Sequence, residues 1–232
     1  MQLKHSIIKL YRFLRGKSPY ITRTAKVRHE WVGSSNGGFY VAPEYIHPDS
    51  VVYSFGIGQD ISFDTSLIKK YACSVYGFDP TPKSIEWVKA QGEISNFNFV
   101  PVGISDKTGE LEFFLPQNDK HVSGSLVDNT VTNSENTIKV PVKDLKTIAG
   151  ELGHQTIDVL KMDIEGAEYD VIPGIIESGI DIRQILIEFH HRLYPGGNKK
   201  TRDAINLLAK HGYKVFATSD IVEEISFIKS EE

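Results

Sequence analysis

The chain has 232 residues, of which 40% are hydrophobic and 24% are charged, and its formal net charge is -4. This length suits one α/β domain with extensions, and no apolar run is long enough to span a bilayer. The single cysteine, Cys73, excludes an internal disulfide, and its apolar surroundings predict a small core residue. No secretory signal is visible, which predicts a cytoplasmic protein.

The basic residues are unevenly distributed along the chain. Eight of the 26 lysines and arginines lie within residues 1–29, which contain no acid, whereas the remainder carries all 30 acids. Such an arm suits either peripheral contact with an anionic membrane through residues 4–28 or docking on the acidic body of the same chain. The acidic body argues against nucleic acid as a partner. Within the arm, apolar residues recur at helical spacing, at Ile7, Leu10, Tyr11 and Leu14.

A glycine-rich loop within residues 30–50 follows the arm, and it suits either a lid over a ligand or a plain connection. We take residues 1–49 as arm and loop, and residues 50–232 as the main domain. Its first half alternates in character, with strands predicted at 51–55, 74–78 and about 97–102 and helices at about 60–71 and 82–91. Alternation at these lengths predicts a parallel sheet with helices on both faces.

The second half continues this pattern after one interruption. A strand at Leu111–Leu115 precedes residues 116–137, whose Ser, Asn, Asp and Thr content predicts a loop or mobile insertion. The following elements are helices at 144–152, 170–178 and 201–211, strands at 157–162 and 184–189, and a closing hairpin of 213–217 with 223–228. Asp144 is expected to cap the first of these helices. The predicted fold is a doubly wound, mostly parallel α/β sheet with a C-terminal antiparallel hairpin.

The most informative stretch is the strand at 51–55, which ends in Gly56-Ile57-Gly58. A glycine turn lets the backbone approach a ligand, and the next strand ends in Asp79, whose carboxylate can accept hydrogen bonds from ribose hydroxyls. The third glycine of the dinucleotide fingerprint is replaced by Ile61, which disfavours a pyrophosphate, and no P-loop motif occurs. The pattern therefore favours S-adenosylmethionine, which contains a ribose and an amino-acid tail but no phosphate.

Polar residues also follow the later strands. In an open parallel sheet the ligand crevice lies beyond the carboxyl ends of the strands, so these residues are expected to converge at one edge. They are Gly103-Ile104-Ser105-Asp106, Asp163-Ile164-Glu165-Gly166 and Glu188-Phe189-His190-His191.

The stretch Asp158-Val159-Leu160-Lys161-Met162-Asp163-Ile164-Glu165-Gly166-Ala167-Glu168 resembles the signature of the FkbM-type S-adenosylmethionine-dependent methyltransferases. Residues 53–58 and 76–80 are similar to a branch of that family, and the resemblance covers about residues 50–218. It implies a class I, Rossmann-like methyltransferase domain that transfers methyl groups, most often to a hydroxyl of a sugar or natural product. The expected acceptor is therefore a small molecule or a glycan.

One position departs from the class I pattern. An acid often stands two residues before the first glycine, and this chain has Ser54 there, so Asp60 or Asp64 is the alternative carboxylate for the methionine amino group. Two roles are possible for Asp106, which would suit either a contact with the adenine ring or the formation of a turn. The predicted cofactor-binding residues are Phe55, Gly56, Gly58, Asp60, Asp79, Pro80, Ser105, Asp106 and Asp163.

Methyl transfer from a sulfonium is an in-line displacement, so the protein mainly positions the acceptor. A hydroxyl acceptor must also lose its proton, and the predicted catalytic residues are Asp163, Glu165, His190 and His191. Histidine is favoured because its reference pKa lies near neutrality, although the two histidines would also suit a satisfied structural pair. Glu165 would also suit a structural role near the positive end of the next helix.

Two further hypotheses concern the same strand ends. Asp163, Glu188 and His190 could bind a divalent cation that acidifies the hydroxyl, although they show no fixed ligand spacing. The fold could also belong to a noncatalytic nucleoside-binding module that is recruited to a surface by its basic arm. An NAD-dependent oxidoreductase is disfavoured by Ile61 and by the absence of a Tyr-x-x-x-Lys pair.

Overall fold

The computed structural model describes the backbone of residues 2–116 and 132–230 and the side chains of residues 7–113 and 137–230. The helices in these ranges are α1 (Gln2–Leu14), α2 (Ser62–Tyr71), α3 (Pro82–Ala90), α4 (Leu145–Leu152), α5 (Glu168–Glu177) and α6 (Gly197–Lys210). The first strands are β1 (Glu30–Val32), β2 (Phe39–Val41), β3 (Val51–Phe55), β4 (Ser74–Phe78), β5 (Phe97–Val100) and β6 (Gly103–Ile104). The later strands are β7 (Gly109–Pro116), β8 (Thr132–Lys143), β9 (Thr156–Met162), β10 (Asp181–Glu188), β11 (Tyr213–Thr218) and β12 (Glu224–Lys229).

The main sheet has seven strands in the order β11-β12-β10-β9-β3-β4-β5. Strands β3, β4, β5, β9 and β10 are parallel, and β12 runs antiparallel to both β10 and β11. Strand order reverses between β3 and β9, where Phe55 is the register partner of Met162. The predicted fold class, including the closing hairpin, is confirmed, and the reversal places a ligand crevice beyond these two strands.

Apolar side chains cover both faces of the sheet. Tyr53 and Phe55 pack in one buried cluster with Leu160, whereas Val52 and Val159 belong to a second cluster. Alternate residues of a strand point to opposite faces, so near-continuous apolar runs are what a parallel sheet covered on both sides requires. Each such side chain stabilises the fold by about 1.5–3 kcal/mol when fully buried.

The start of α4 agrees with its predicted cap, whereas α5 and α6 begin earlier than predicted. Asp144 caps α4 as predicted, because its carboxylate accepts a hydrogen bond from the Thr147 amide at 2.8 Å. Helix α5 begins at Glu168, two residues before the predicted start, and contains Pro173. Helix α6 begins at Gly197 rather than Thr201.

A second, three-stranded sheet in the order β6-β8-β7 corrects two predictions. The strand expected at about 97–102 ends at Val100, and the chain then joins β8 through Gly103 and Ile104. The loop predicted at 116–137 is wrong at Pro116, which ends β7, and over residues 132–137, which begin β8. Residues 117–131 lie outside the described residues. Polar composition suggested a loop because pairing with the distant β7 leaves no local signal.

The N-terminal segment lies against the main domain. Val32, Phe39 and Val41 of the β1–β2 hairpin are buried in the second apolar cluster. Helix α1 docks on the C-terminal hairpin, where the Lys9 ammonium donates to the Thr218 carbonyl at 3.1 Å and Arg12 lies 3.8 Å from Glu223. Docking on the acidic body, one of the two expectations for the arm, is therefore observed. No helix within the described residues combines the length and hydropathy needed to cross a membrane.

Candidate active site

A cavity of about 560 Å³ opens beyond the carboxyl ends of β3, β4 and β9, at the reversal of strand order. Its volume falls within the range of about 300–1,000 Å³ typical of small-molecule sites. The strand-end turns contribute Gly56, Ile57, Gly58, Asp79, Pro80, Thr81, Asp163, Ile164 and Glu165 to the wall. The rest of the wall includes Phe55, Phe78 and Asp60, Asn36 and Gly37 of the glycine-rich loop, and Gly103, Ile104, Phe113 and Val142 of the small sheet.

The turn after β3 depends on Gly56. Its φ is +80°, and a Cβ at this position would lie 1.7 Å from the Asp163 carbonyl oxygen. The Gly56 amide donates to the Phe78 carbonyl at 2.9 Å, and the Lys161 ammonium donates to the Gly56 carbonyl at 2.8 Å. Lys161 thus joins β9 to the glycine turn. Because Gly56 has no side chain, the ends of β3, β4 and β9 can lie close together.

Asp79 lies at the centre of the predicted ribose site. One carboxylate oxygen accepts a hydrogen bond from the Gly58 amide at 2.9 Å, and the other accepts from the Thr81 amide at 2.9 Å and hydroxyl at 2.6 Å. These bonds use three of the roughly four acceptor positions of a carboxylate. Asp79 is therefore held rigidly on the wall, with acceptor capacity for one ribose hydroxyl.

Asp60, rather than Asp64, lies on the cavity wall. The Asp60 carboxylate accepts hydrogen bonds from the Ser34 hydroxyl and the Ser62 amide, both at 2.7 Å. Through Ser34 it connects the cavity to the glycine-rich loop, which therefore forms part of the site. Asp64 is buried in α2, and burial raises the pKa of its carboxyl group above the usual value.

Four of the predicted cofactor-binding and catalytic residues, Ser105, Asp106, His190 and His191, do not line the cavity. Ser105 donates to Asp106 at 3.0 Å just beyond β6, whereas Gly103 and Ile104 of β6 itself lie on the wall. His191 is buried, and its Nε2 atom lies 3.2 Å from the Lys17 carbonyl oxygen. His191 therefore lies away from the cavity, and its Nδ1 atom has no hydrogen-bond partner among the described residues. Phe113 was missed because only its pairing with β8 brings it to the wall.

His190 lies directly behind the wall, among four carboxylates. Its side chain is 1% exposed, and its Nδ1 atom is 2.8 Å from Glu168 Oε1. Its Nε2 atom lies 3.3 Å from Glu165, 3.6 Å from Glu188 and 3.8 Å from Asp163. The ends of β9 and β10 and the first turn of α5 thus converge on one imidazole, as the strand-end rule predicts.

The protonation states in this cluster follow from its charges. Burial disfavours the imidazolium, but Glu168, Asp163 and Glu165 outweigh it and raise the pKa of His190 to about 10. Burial and the nearby Asp163 raise the pKa of Glu188 to about 8. In this arrangement His190 already carries a proton at neutral pH and has no nitrogen free to accept another. This argues against the predicted preference for a histidine base.

The turn that carries Asp163 and Glu165 has an uncommon backbone. Glu165 has a φ of +52° and Gly166 a φ of +109°. The Gly166 amide donates to Glu168 at 3.0 Å, and its carbonyl accepts from the Tyr194 hydroxyl at 2.5 Å. These bonds hold a non-glycine residue in the left-handed region, a form of strain that is concentrated at functional sites.

The sheet order, the glycine turn and the acid after the second strand together define the class I methyltransferase architecture. The family model described as "Methyltransferase FkbM domain" matches residues 49–215, and the chain belongs to this family. Residues 49–215 are therefore a methyltransferase domain of this family, whose methyl donor is S-adenosylmethionine. The described wall residues fit this cofactor, since they include Asp79 for the ribose and no lysine or arginine for a pyrophosphate.

Curated relatives match parts of the chain. The 2-O-methyltransferase NoeI of Sinorhizobium fredii is 25% identical over 69% of this chain and 72% of its own length. The hexuronic acid methyltransferase AglP of Haloferax volcanii is 23% identical over 59% of this chain and 58% of its own length. The AMB antimetabolite synthetase AmbE of Pseudomonas aeruginosa is 35% identical over 36% of this chain, which spans only 4% of AmbE.

Among solved structures, the fibrillarin of Methanococcus jannaschii is similar to this chain with a TM-score of 0.47 and 12% identity. The likeness covers 91% of this chain and 87% of the fibrillarin chain.

Proposed function

We propose that this protein methylates a hydroxyl group of a saccharide or a related small molecule. The observation that carries the proposal is the convergence of Asp163 and Glu165 on the cavity wall beside the glycine turn, with Glu188 close behind them. Bound S-adenosylmethionine would supply an electrophilic methyl group. A hydroxyl that attacks this group must lose its proton, and the carboxylates of Asp163 and Glu165 are the groups positioned to receive it.

The remaining wall residues have binding roles in this proposal. Asp79 accepts from a ribose hydroxyl, and the backbone of Gly56 and Gly58 lies against the cofactor. Asp60 faces the cationic amino group of the methionine portion, and Asn36 of the glycine-rich loop closes that end of the cavity. The printed names of NoeI and AglP, a 2-O-methyltransferase and a hexuronic acid methyltransferase, favour a sugar hydroxyl as the acceptor.

The test is formation of S-adenosylhomocysteine in the presence of a panel of mono- and oligosaccharides. The variant Asp163→Asn/Glu165→Gln is expected to lose activity by at least about 100-fold, the scale of general-base catalysis. Asp106→Asn, which changes a carboxylate away from the wall, is the matched control and should retain activity. Because the two substitutions preserve shape, S-adenosylhomocysteine should still bind to the double variant.

Two results of this assay would contradict methylation of a hydroxyl group. A wild-type protein that binds S-adenosylhomocysteine but methylates no acceptor in the panel would favour the noncatalytic module. A methylated nitrogen or carbon in the product would contradict hydroxyl methylation.

We also propose that α1 rests on an anionic membrane surface. Ile7 is 61% exposed and Leu14 is 72% exposed, although Lys9 and Arg12 fix the helix to the domain. The outward apolar face is accompanied by the basic residues of an arm without acids. A helix of this kind lies in the interfacial region of a bilayer, where apolar burial and attraction to anionic lipids add.

The double variant Ile7→Glu/Leu14→Glu tests this surface without removing the contacts that dock the helix. We expect at least about a 10-fold loss in co-sedimentation with phosphatidylserine vesicles, because each apolar side chain contributes up to about 1.5–3 kcal/mol on burial. Vesicles of phosphatidylcholine alone are the control. Unchanged sedimentation would contradict the proposal, as would a wild-type dimer that the variant dissociates without any vesicle binding.

A further inference from the structure

The carboxylates around His190 have the spacing of ligands around a single ion. One ligand atom from each of Asp163, Glu165 and His190 lies within 4.8 Å of the other two. Ligand atoms about 2.0–2.2 Å from one cation would lie roughly 3 to 4 Å apart, and the imidazole Nε2 is 3.3 Å and 3.8 Å from the two carboxylates. Small side-chain adjustments would therefore complete a coordination shell.

The orientation of the imidazole has a structural cause. Glu168 is fully buried, and its Oε1 atom forms a hydrogen bond with His190 Nδ1 at 2.8 Å. This contact turns Nε2 toward Asp163 and Glu165, which also line the cavity. A carboxylate that fixes the far nitrogen of a metal-binding histidine is the usual second-shell arrangement, because it sets the tautomer and raises the basicity of the ligand.

Carboxyl groups outnumber the cationic side chains around this position, where the Lys161 ammonium lies 3.9 Å from Asp163. The carboxylates of Asp163, Glu165, Glu168 and Glu188 all lie within 3.8 Å of one imidazole. Glu224, the register partner of Glu188, is also buried, and its Oε2 atom has no hydrogen-bond partner among the described residues. Glu168 and Glu224 are buried and the other three are partly buried, and removing carboxylates from water is costly unless cations compensate them.

We propose that Asp163, Glu165 and His190 bind one divalent metal cation at the edge of the cofactor cavity, with Glu168 as the positioning residue. The catalytic role of the cation rests on the proposed function, because the cation would hold the acceptor hydroxyl beside the methyl group. The methyl–sulfur bond breaks with its electron pair remaining on sulfur, and a methyl–oxygen bond forms. The hydroxyl proton passes to the carboxylate oxygen of Glu165 that does not bind the cation, since Glu165 lines the cavity.

The test is a calorimetric titration of Mn²⁺ into the full-length protein preloaded with S-adenosylhomocysteine. We expect one site per chain. Glu168→Gln should weaken binding by about 10- to 100-fold, the usual effect of losing a second-shell partner. His190→Gln should weaken it further, and Asp106→Asn, which changes a carboxylate outside both the cluster and the cavity wall, should leave it unchanged. Methyl transfer should be lost on EDTA treatment and restored by the metal.

Several results would overturn the proposal. They are a wild-type protein that binds S-adenosylhomocysteine but not Mn²⁺, Mn²⁺ binding that survives His190→Gln, and full activity in EDTA. If the cluster variants do not fold, the wild-type titration alone decides. Failure to bind S-adenosylhomocysteine would instead count against the proposed function, so the two failures are distinguishable.

Discussion

Gly56→Ala is expected to lower the free energy of unfolding by more than about 3 kcal/mol. The left-handed backbone costs a non-glycine residue about 1–2 kcal/mol, and the new Cβ would also meet the Asp163 carbonyl oxygen at 1.7 Å. Because Asp163 directly follows the central strand β9, relief of this clash requires two strand ends to separate. Urea denaturation followed by circular dichroism measures the effect.

Gly92→Ala separates the steric contribution from the backbone strain. Gly92 has a similar φ of +77°, but a Cβ there would meet no atom within 4 Å. We expect this control to lose only about 1–2 kcal/mol. Equal losses for the two variants would show that the Asp163 carbonyl can move aside without cost, and would contradict the close packing of the strand ends.

Asp79→Ala is expected to weaken the binding of S-adenosylhomocysteine by at least about 100-fold. The change removes the ribose acceptor and the partner of the Gly58 and Thr81 amides, and hydrogen bonds to charged groups contribute about 1.5–3 kcal/mol each. Both the direct contact and the shape of the turn are affected. Calorimetry with S-adenosylhomocysteine, and with NADH as the competing cofactor, measures the result.

Asp106→Ala is the matched control for this experiment. Asp106 follows a strand end in the sequence as Asp79 does, but it lies off the cavity wall, so its loss should leave cofactor affinity unchanged. NADH is expected to bind to neither protein. Unaltered affinity in Asp79→Ala, with the variant still folded by its thermal melt, would contradict the ribose assignment.

Much of the fold and part of the site could be predicted because their signals are local. The apolar strand at Val51–Phe55, the glycines that follow it and the acid at Asp79 lie within one βαβ unit. Each residue type in this unit meets a local structural requirement. Gly56, for example, has a positive φ, which glycine adopts readily. The strand-end rule also predicts that Asp163 and Glu165 lie at the same edge of the sheet, and both line the cavity.

Predictions failed where long-range pairing decides the outcome. The polar residues 132–137 form a strand because they pair with β7, and Phe113 reaches the cavity wall because β7 pairs with β8. Sheet pairing depends on partners that are distant in sequence, so local composition does not report it.

By itself, the sequence determined the class of the protein, the parallel sheet and the carboxylates and histidine at its strand ends. These features could be predicted because hydrophobic periodicity and the residue types at strand ends are local properties of the sequence. Only the tertiary structure decided what these groups do to one another. His190 and His191 are neighbours in sequence, yet one faces four carboxylates and the other faces the backbone of Lys17. Their protonation depends on burial and on charges supplied by other segments, which exist only once the chain has folded.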